Sequence, residues 1–151
     1  MGTPFNVVGQ RLPMHDAAAK AKGTAQFTDD ILLPGMLHGK ILRSPLAHAR
    51  ILRIDTSRAE KLPGVKGVVT GKDIPDRVYG IVPKAHDEHA LARDKVRYIG
   101  DDVAAVCAVD PEIAEEALEL IRVDYEELPA VFDPHGIDEG RGAAHPRRGP
   151  P

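Results

Sequence analysis

Seven consecutive residues, Val103-Ala-Ala-Val-Cys-Ala-Val109, carry no polar side chain beyond a thiol. Gly100-Asp101-Asp102 precede them and Asp110-Pro111 follow, so the run is too short for a helix of ordinary length. A strand with one wet face would alternate; a run without alternation predicts a strand covered on both faces. Such a strand belongs at the centre of a sheet. The next residues form the clearest helix start in the chain. Asp110 can cap free N–H groups, Pro111 fits the first helical position, and Glu112 suits the positive helix end. Ile113, Ala114, Ala117, Leu118 and Ile121 share one face, and Glu115, Glu116 and Glu119 the other. An amphipathic helix over residues 111–121 is therefore predicted to lie on a sheet.

Further strands are predicted over residues 37–42, 49–55, 65–70, 95–99 and 122–128. Gly39, inside the first, suggests a bulge or a close backbone approach. The short connection 44–48 suggests that the strands on either side form an antiparallel hairpin-like pair. Thr56 or Ser57 can cap a short helix ending at Leu62, before Pro63-Gly64. The fold class is α+β, with a mixed or antiparallel sheet, one strong helix and short helices.

Length and composition bound the rest. The chain has 151 residues, and one domain of ordinary size needs no more. Its 14 Gly and 13 Pro are more than usual, so much of it is turn and loop. Residues 1–35 read as an extended N-terminal arm with one short strand near residues 25–28. Residues 36–133 read as the folded domain, with a long loop over 71–89. Residues 134–151 hold no large apolar side chain after Ile137 and read as a disordered tail. The net charge of −3 offers no basic field for nucleic acid, and 4% aromatics make a poor base-stacking platform. One cysteine excludes an internal disulfide framework. No apolar run reaches a membrane span and no secretory signal is visible, so the expected compartment is the cytoplasm.

Candidate chemistry is sparse. Cys107 sits among Val and Ala and reads as a packed, inert thiol. His86-Asp-Glu-His89 offers metal-ligand types, yet no helical pattern brings its histidines together. Ser44, His48 and Asp55 are the residue types of a hydrolytic triad without a nucleophile elbow. Arg43, His48, Arg50 and Arg53 form a local basic cluster that fits a sheet surface better than an anion site. Glu115, Glu116 and Glu119 fit a solvated helix face. No Gly-rich phosphate loop occurs. The residues themselves therefore nominate no catalytic, cofactor-binding or metal-binding position.

Several stretches, taken in order, resemble one family. They are Asp16-Ala-Ala-Ala-Lys20 with Gly23, Phe27-Thr-Asp-Asp30, Ile41-Leu-Arg-Ser-Pro-Leu-Ala-His-Ala-Arg-Ile51, Ile54-Asp55 and Leu62-Pro-Gly-Val65. Next come Val69-Thr-Gly-Lys-Asp-Ile-Pro75, Leu91-Ala-Arg-Asp-Lys-Val-Arg-Tyr98, Gly100-Asp-Asp-Val-Ala-Ala-Val106, and Ala114 through Val123-Asp-Tyr-Glu-Glu-Leu-Pro129. Over residues 9–133 the chain resembles the N-terminal α/β hammerhead domain of the molybdopterin-binding subunit in the xanthine dehydrogenase and aldehyde oxidase family. Residues 91–98 look most like the large subunits of 4-hydroxybenzoyl-CoA reductases and related bacterial hydroxylases.

The resemblance implies a share in a molybdenum hydroxylase or dehydrogenase. Molybdopterin, iron–sulfur clusters and an acceptor such as FAD would serve the complete enzyme, none of them bound by this chain. The implied partners are the molybdopterin-binding catalytic domain and the iron–sulfur subunit, with self-association where apolar surface stays uncovered. Interface candidates are Arg43, Ser44, Pro45, His48, Arg50, Gly100 and Asp101. The isolated chain is expected to be inactive, with a structural and assembly role, as a truncated or separately encoded piece. The alternative is an independent interaction or ligand-binding module that reuses the fold; a small hydrolase using Ser44 or Cys107 is more distant.

Three positions depart from the family pattern. Leu46 stands where the family usually has His, and Asp102 where it often has Pro. Loss of that Pro adds unfolded-state entropy of about 0.4–1 kcal/mol. After Asp133 the apolar face of the family's next helix is missing.

Overall fold

In the computed structural model, residues 7–9, 11–80 and 87–132 are described. Contacts divide the chain into two units, Met1–Met36 and Leu37–Pro151. The first holds a short helix α1, Ala17–Ala21, and a single 3-10 turn, Thr28–Asp30, neither burying a residue. The strand expected near residues 25–28 is absent. Instead the Asp30 carboxylate accepts the Phe27 N–H at 2.9 Å, which curls the chain locally.

In the second unit the elements run β1 His38–Arg43, β2 Ala49–Asp55, β3 Val65–Thr70, β4 Val78–Tyr79, β5 Glu88–His89, β6 Lys95–Val96, β7 Asp102–Ala108, α2 Pro111–Leu120 and β8 Arg122–Glu127. They form three antiparallel sheets, ordered β1-β7-β3, β6-β2-β8 and β4-β5. The apolar run is the central strand of the first sheet, as its composition predicts. Asp110 caps α2 by accepting the Glu112 N–H at 2.8 Å, with Pro111 at the first helical position.

Two cores meet along β7. Ala104 and Val106 point to one side and pack with Ala59, Ala117 and Ile121, joined by Leu42 and Val68. Val103 packs with Ala49, Ala92 and Val96 of the second core. Ile54 and Val123 border both cores and so tie the second sheet to the first.

Four expectations change. The strands flanking Ser44 do not pair, because β1 bonds to β7 while β2 bonds to β6 and β8. The backbone of Ser44 is committed elsewhere, to Asp101 O and Gly100 N at 2.8 Å each, and this carries the chain from one sheet to the other. Residues 57–62 form hydrogen-bonded turns rather than a helix, with the Asp55 carboxylate taking the Ser57 N–H and hydroxyl. The central strand is also not covered on both faces along its length. Ala105 and Cys107 are only half-buried, and Val109 lies beyond the strand and is exposed. The expected strand 95–99 ends at Val96, because a tight turn occupies residues 98–101.

Glycines 71 and 39 separate crowding inside the fold from open space. A Cβ on Gly71 would lie 2.5 Å from Ala92 O, whereas one on Gly39 would meet nothing closer than Val106 O at 4.0 Å. Gly71→Ala should lower stability by about 1–3 kcal/mol, because backbone must move to admit it. Gly39→Ala should leave stability unchanged or raise it by up to about 1 kcal/mol, since it removes the strand-interior glycine penalty. Urea unfolding of the two variants checks the contrast.

Candidate docking site

The interface candidates fall into two groups. Arg43, Ser44, Gly100 and Asp101 come together. Asp101 N bonds back to Tyr98 O at 3.2 Å, and Gly100 sits at φ +93°, so residues 98–101 form a tight turn that needs glycine at its third position. Ser44 clasps this turn through both of its backbone groups. Arg43 donates from Nη1 to Gly100 O at 3.3 Å, and the Asp101 carboxylate accepts the Arg97 N–H at 2.9 Å. Ser44 and Asp101 are buried, and the Ser44 hydroxyl bonds both backbone groups of Leu46. They therefore hold the surface in shape, while Arg43 and the exposed Pro45 can touch a partner.

His48 and Arg50 lie with the second sheet. His48 Nδ1 is 2.7 Å from Pro129 O; a carbonyl only accepts, so this nitrogen carries the proton. Arg50 pairs with Glu126 across the β2–β8 ladder at 2.8 Å. The basic cluster is thus dispersed: Arg43 faces Asp102, Arg50 faces Glu126, and Arg53 faces Asp55. The triad types are likewise apart in purpose, each bonded to other groups. Of the His86-Asp-Glu-His89 motif, His86 lies outside the described residues, and His89 faces Asp76 at 3.6 Å. Among the described residues no group of three His, Cys, Asp or Glu could hold a metal. Lys40 reaches Glu115 at 3.6 Å, which places that helix carboxylate at the sheet edge.

Beside the 98–101 turn lies a cavity of about 540 Å³. Tyr79 and Tyr98 line it together with the carboxylates of Asp87, Glu88, Asp101 and Asp102. Burial, and after it the charges of Asp101, Asp102 and Glu88, push the Tyr98 phenol above its ordinary pKa, against the opposing charge of Arg43. Asp102 Oδ1 is buried and accepts no hydrogen bond among the described residues; Arg43 Nη1 stands 3.4 Å away, outside bonding geometry. Tyr79, Tyr98 and Ile99 were not singled out by their residue types. The available signal was position: Tyr98 and Ile99 are large side chains in a turn, where small polar residues are usual.

Outside the cavity, the outer face of the first sheet is apolar. Ile41, Ala105 and Val69 stand in one cross-strand row, and Gly39, Cys107 and Gly67 in the next. Ile41 and Val69 are 42% and 40% exposed.

Residues 22–129 match the family described as aldehyde oxidase and xanthine dehydrogenase, a/b hammerhead domain. The chain belongs to this family. Its matched residues are those of the hammerhead domain that this family shares. It is 48% identical over 120 residues to a probable xanthine dehydrogenase subunit from Bacillus subtilis, covering 79% of this chain and 16% of that one. It is 38% identical over 147 residues to the nicotinate dehydrogenase large molybdopterin subunit of Eubacterium barkeri, covering 96% and 34%. Quinoline 2-oxidoreductase from Pseudomonas putida 86 shares the fold at a TM-score of 0.81 and 38% identity, over 90% of this chain and 18% of that one. The hammerhead chain thus spans a minor part of each relative. No helix among its described residues is long and apolar enough to cross a membrane.

Asp55 and Asp73 have carboxyls held below the ordinary range by hydrogen bonds, from Ser57 and Thr70 respectively. A depressed pKa adds stability above the ordinary carboxylate value, and that contribution disappears as pH falls through the folded value. Ser57→Ala should return the Asp55 pKa towards that of a free carboxylate and leave Asp73 unmoved, as read by carboxyl-carbon NMR titration.

Proposed function

We propose that this hammerhead domain has a structural and assembly role, docking on the molybdopterin-binding catalytic part of its oxidoreductase and performing no catalysis alone. The outer face of β1, β7 and β3 carries the reading. Its apolar row is open, and neither of its glycines is required by positive φ; a Cβ on Gly39 would meet nothing closer than 4.0 Å, and one on Gly67 would touch only the Cys107 sulfur at 3.4 Å. Strand glycines of this kind admit close approach of another backbone. An apolar face of folded protein left in water marks a surface that a partner covers.

Molybdopterin, iron–sulfur clusters and an acceptor such as FAD belong, on this reading, to the complete enzyme. Among the described residues no group of three His, Cys, Asp or Glu could hold a metal, and on this reading none of them is assigned a step of the reaction. Arg43, His48 and Arg50 supply the polar rim of the contact beside the apolar Pro45, and Ser44, Gly100 and Asp101 keep it rigid. The catalytic domain and the iron–sulfur subunit are the partners, working in the cytoplasm.

The test is a chimera. This chain replaces the 120 matched residues of the Bacillus subtilis relative, and molybdenum content and dehydrogenase turnover are measured. The expected chimera assembles with molybdenum and turns over, while the isolated chain purifies without molybdenum or iron. A folded chimera devoid of molybdenum, or stoichiometric molybdenum in the isolated chain, overturns the assembly role.

A further inference from the structure

The crossover between the two larger sheets holds a distant piece of chain at each of its ends. Ser44, at one end, clasps the turn 98–101. His48, at the other, holds the chain just past β8. Its carbonyl accepts the Leu128 N–H at 2.9 Å, and its ring Nδ1 lies 2.7 Å from Pro129 O. Proline has no N–H, so its carbonyl is the one backbone group by which Pro129 can be bonded. The family match also ends at residue 129, and residues 130–151 follow in this chain. His48 therefore grips the polypeptide where the shared domain stops.

The other ties end before that point. The ladder between β2 and β8 reaches Ala49 and Glu127 and goes no further. Among the described residues, the hydrogen bonds to residues 128–132 come from His48 alone. Apolar packing fades at the same place: Pro129 is exposed, and Phe132 is 81% exposed. A chain that leaves a sheet without ties keeps its backbone entropy and samples many directions. His48 is itself well held, because its neighbour Ala49 is fully buried in the second core and the crossover behind it is fixed at Ser44.

We infer that His48 is a positioning residue, a latch that sets the direction in which the chain leaves the domain. The inference rests on the assembly reading above. An exit held in one direction presents the departing chain to the catalytic polypeptide already oriented, which lowers the ordering cost of docking. The latch needs a proton on Nδ1, because the Pro129 carbonyl only accepts, and this bond selects the tautomer of the neutral ring. The other ring nitrogen takes no part in it.

The first test needs no variant. Nitrogen-15 NMR of the 151-residue chain, with its imidazoles neutral, should show the His48 ring as the Nδ1–H tautomer; the Nε2–H tautomer overturns the latch. The second test compares His48→Asn with His48→Gln. Both carry the same amide, but Asn sets its donor where Nδ1 stood and Gln sets it where Nε2 stood. In the isolated chain, hydrogen exchange at the Leu128 amide should stay within about twofold of wild type for His48→Asn and rise about fivefold or more for His48→Gln. In the chimera, His48→Asn should keep most of the molybdenum content and His48→Gln should lose at least half. Both variants lack the imidazole, so a general loss of folding would strike the two alike. Equal effects of the two variants, or rescue by Gln, overturn the latch. A wild-type chimera without molybdenum overturns the assembly reading instead, while the tautomer and the exchange rates still decide the latch.

Discussion

The fold depends on one strand satisfying two cores. β7 is bonded on both edges, to β1 and β3, so its backbone groups are paired within the sheet. Its alternate side chains then go to different places. Ala104 and Val106 meet α2, and Val103 meets the second sheet. Small residues are needed here: Ala104 and Ala117 let helix and sheet approach closely. A larger side chain at either would separate the layers. The tight connection from β7 into α2 follows from the cap at Asp110, which reverses the chain straight onto the sheet it has just left.

The same strand positions the proposed docking surface. Its first residue, Asp102, ends the tight turn that Ser44 clasps, so the cavity is built on the rigid end of the central strand. Its middle residues present the apolar outer face. A partner touching both would grip the most firmly held element in the domain. Polar residues that looked like chemistry become scaffolding in this arrangement. The Ser44 hydroxyl serves Leu46, the Asp101 carboxylate serves Arg97, and the His48 ring serves Pro129.

How far the residues alone carried the picture differs between fold and site. Apolar continuity at 103–109, the cap at 110–112 and the alternation at 122–127 are local signals, and the corresponding elements stand where those signals place them. The long list of motifs in register carried the family. Pairing was not legible, because the connection after Ser44 is short enough for a hairpin, and only the distant Gly100 and Asp101 redirect it. The helix expected over 57–62 gives way to hydrogen-bonded turns, with Ser57 donating both its hydroxyl and its N–H to Asp55 two residues upstream. The cavity was illegible for the opposite reason, since Tyr79, Glu88 and Tyr98 meet only after two sheets have formed.

The sequence by itself determined the central strand, the capped helix after it and the small-residue centre, because each follows from side-chain chemistry and local periodicity. The tertiary structure decided which strands pair and which face of the central strand stays open. It also decided which carboxylates share a cavity. Those outcomes turn on contacts between residues tens of positions apart, where geometry and not composition chooses among partners of similar chemistry.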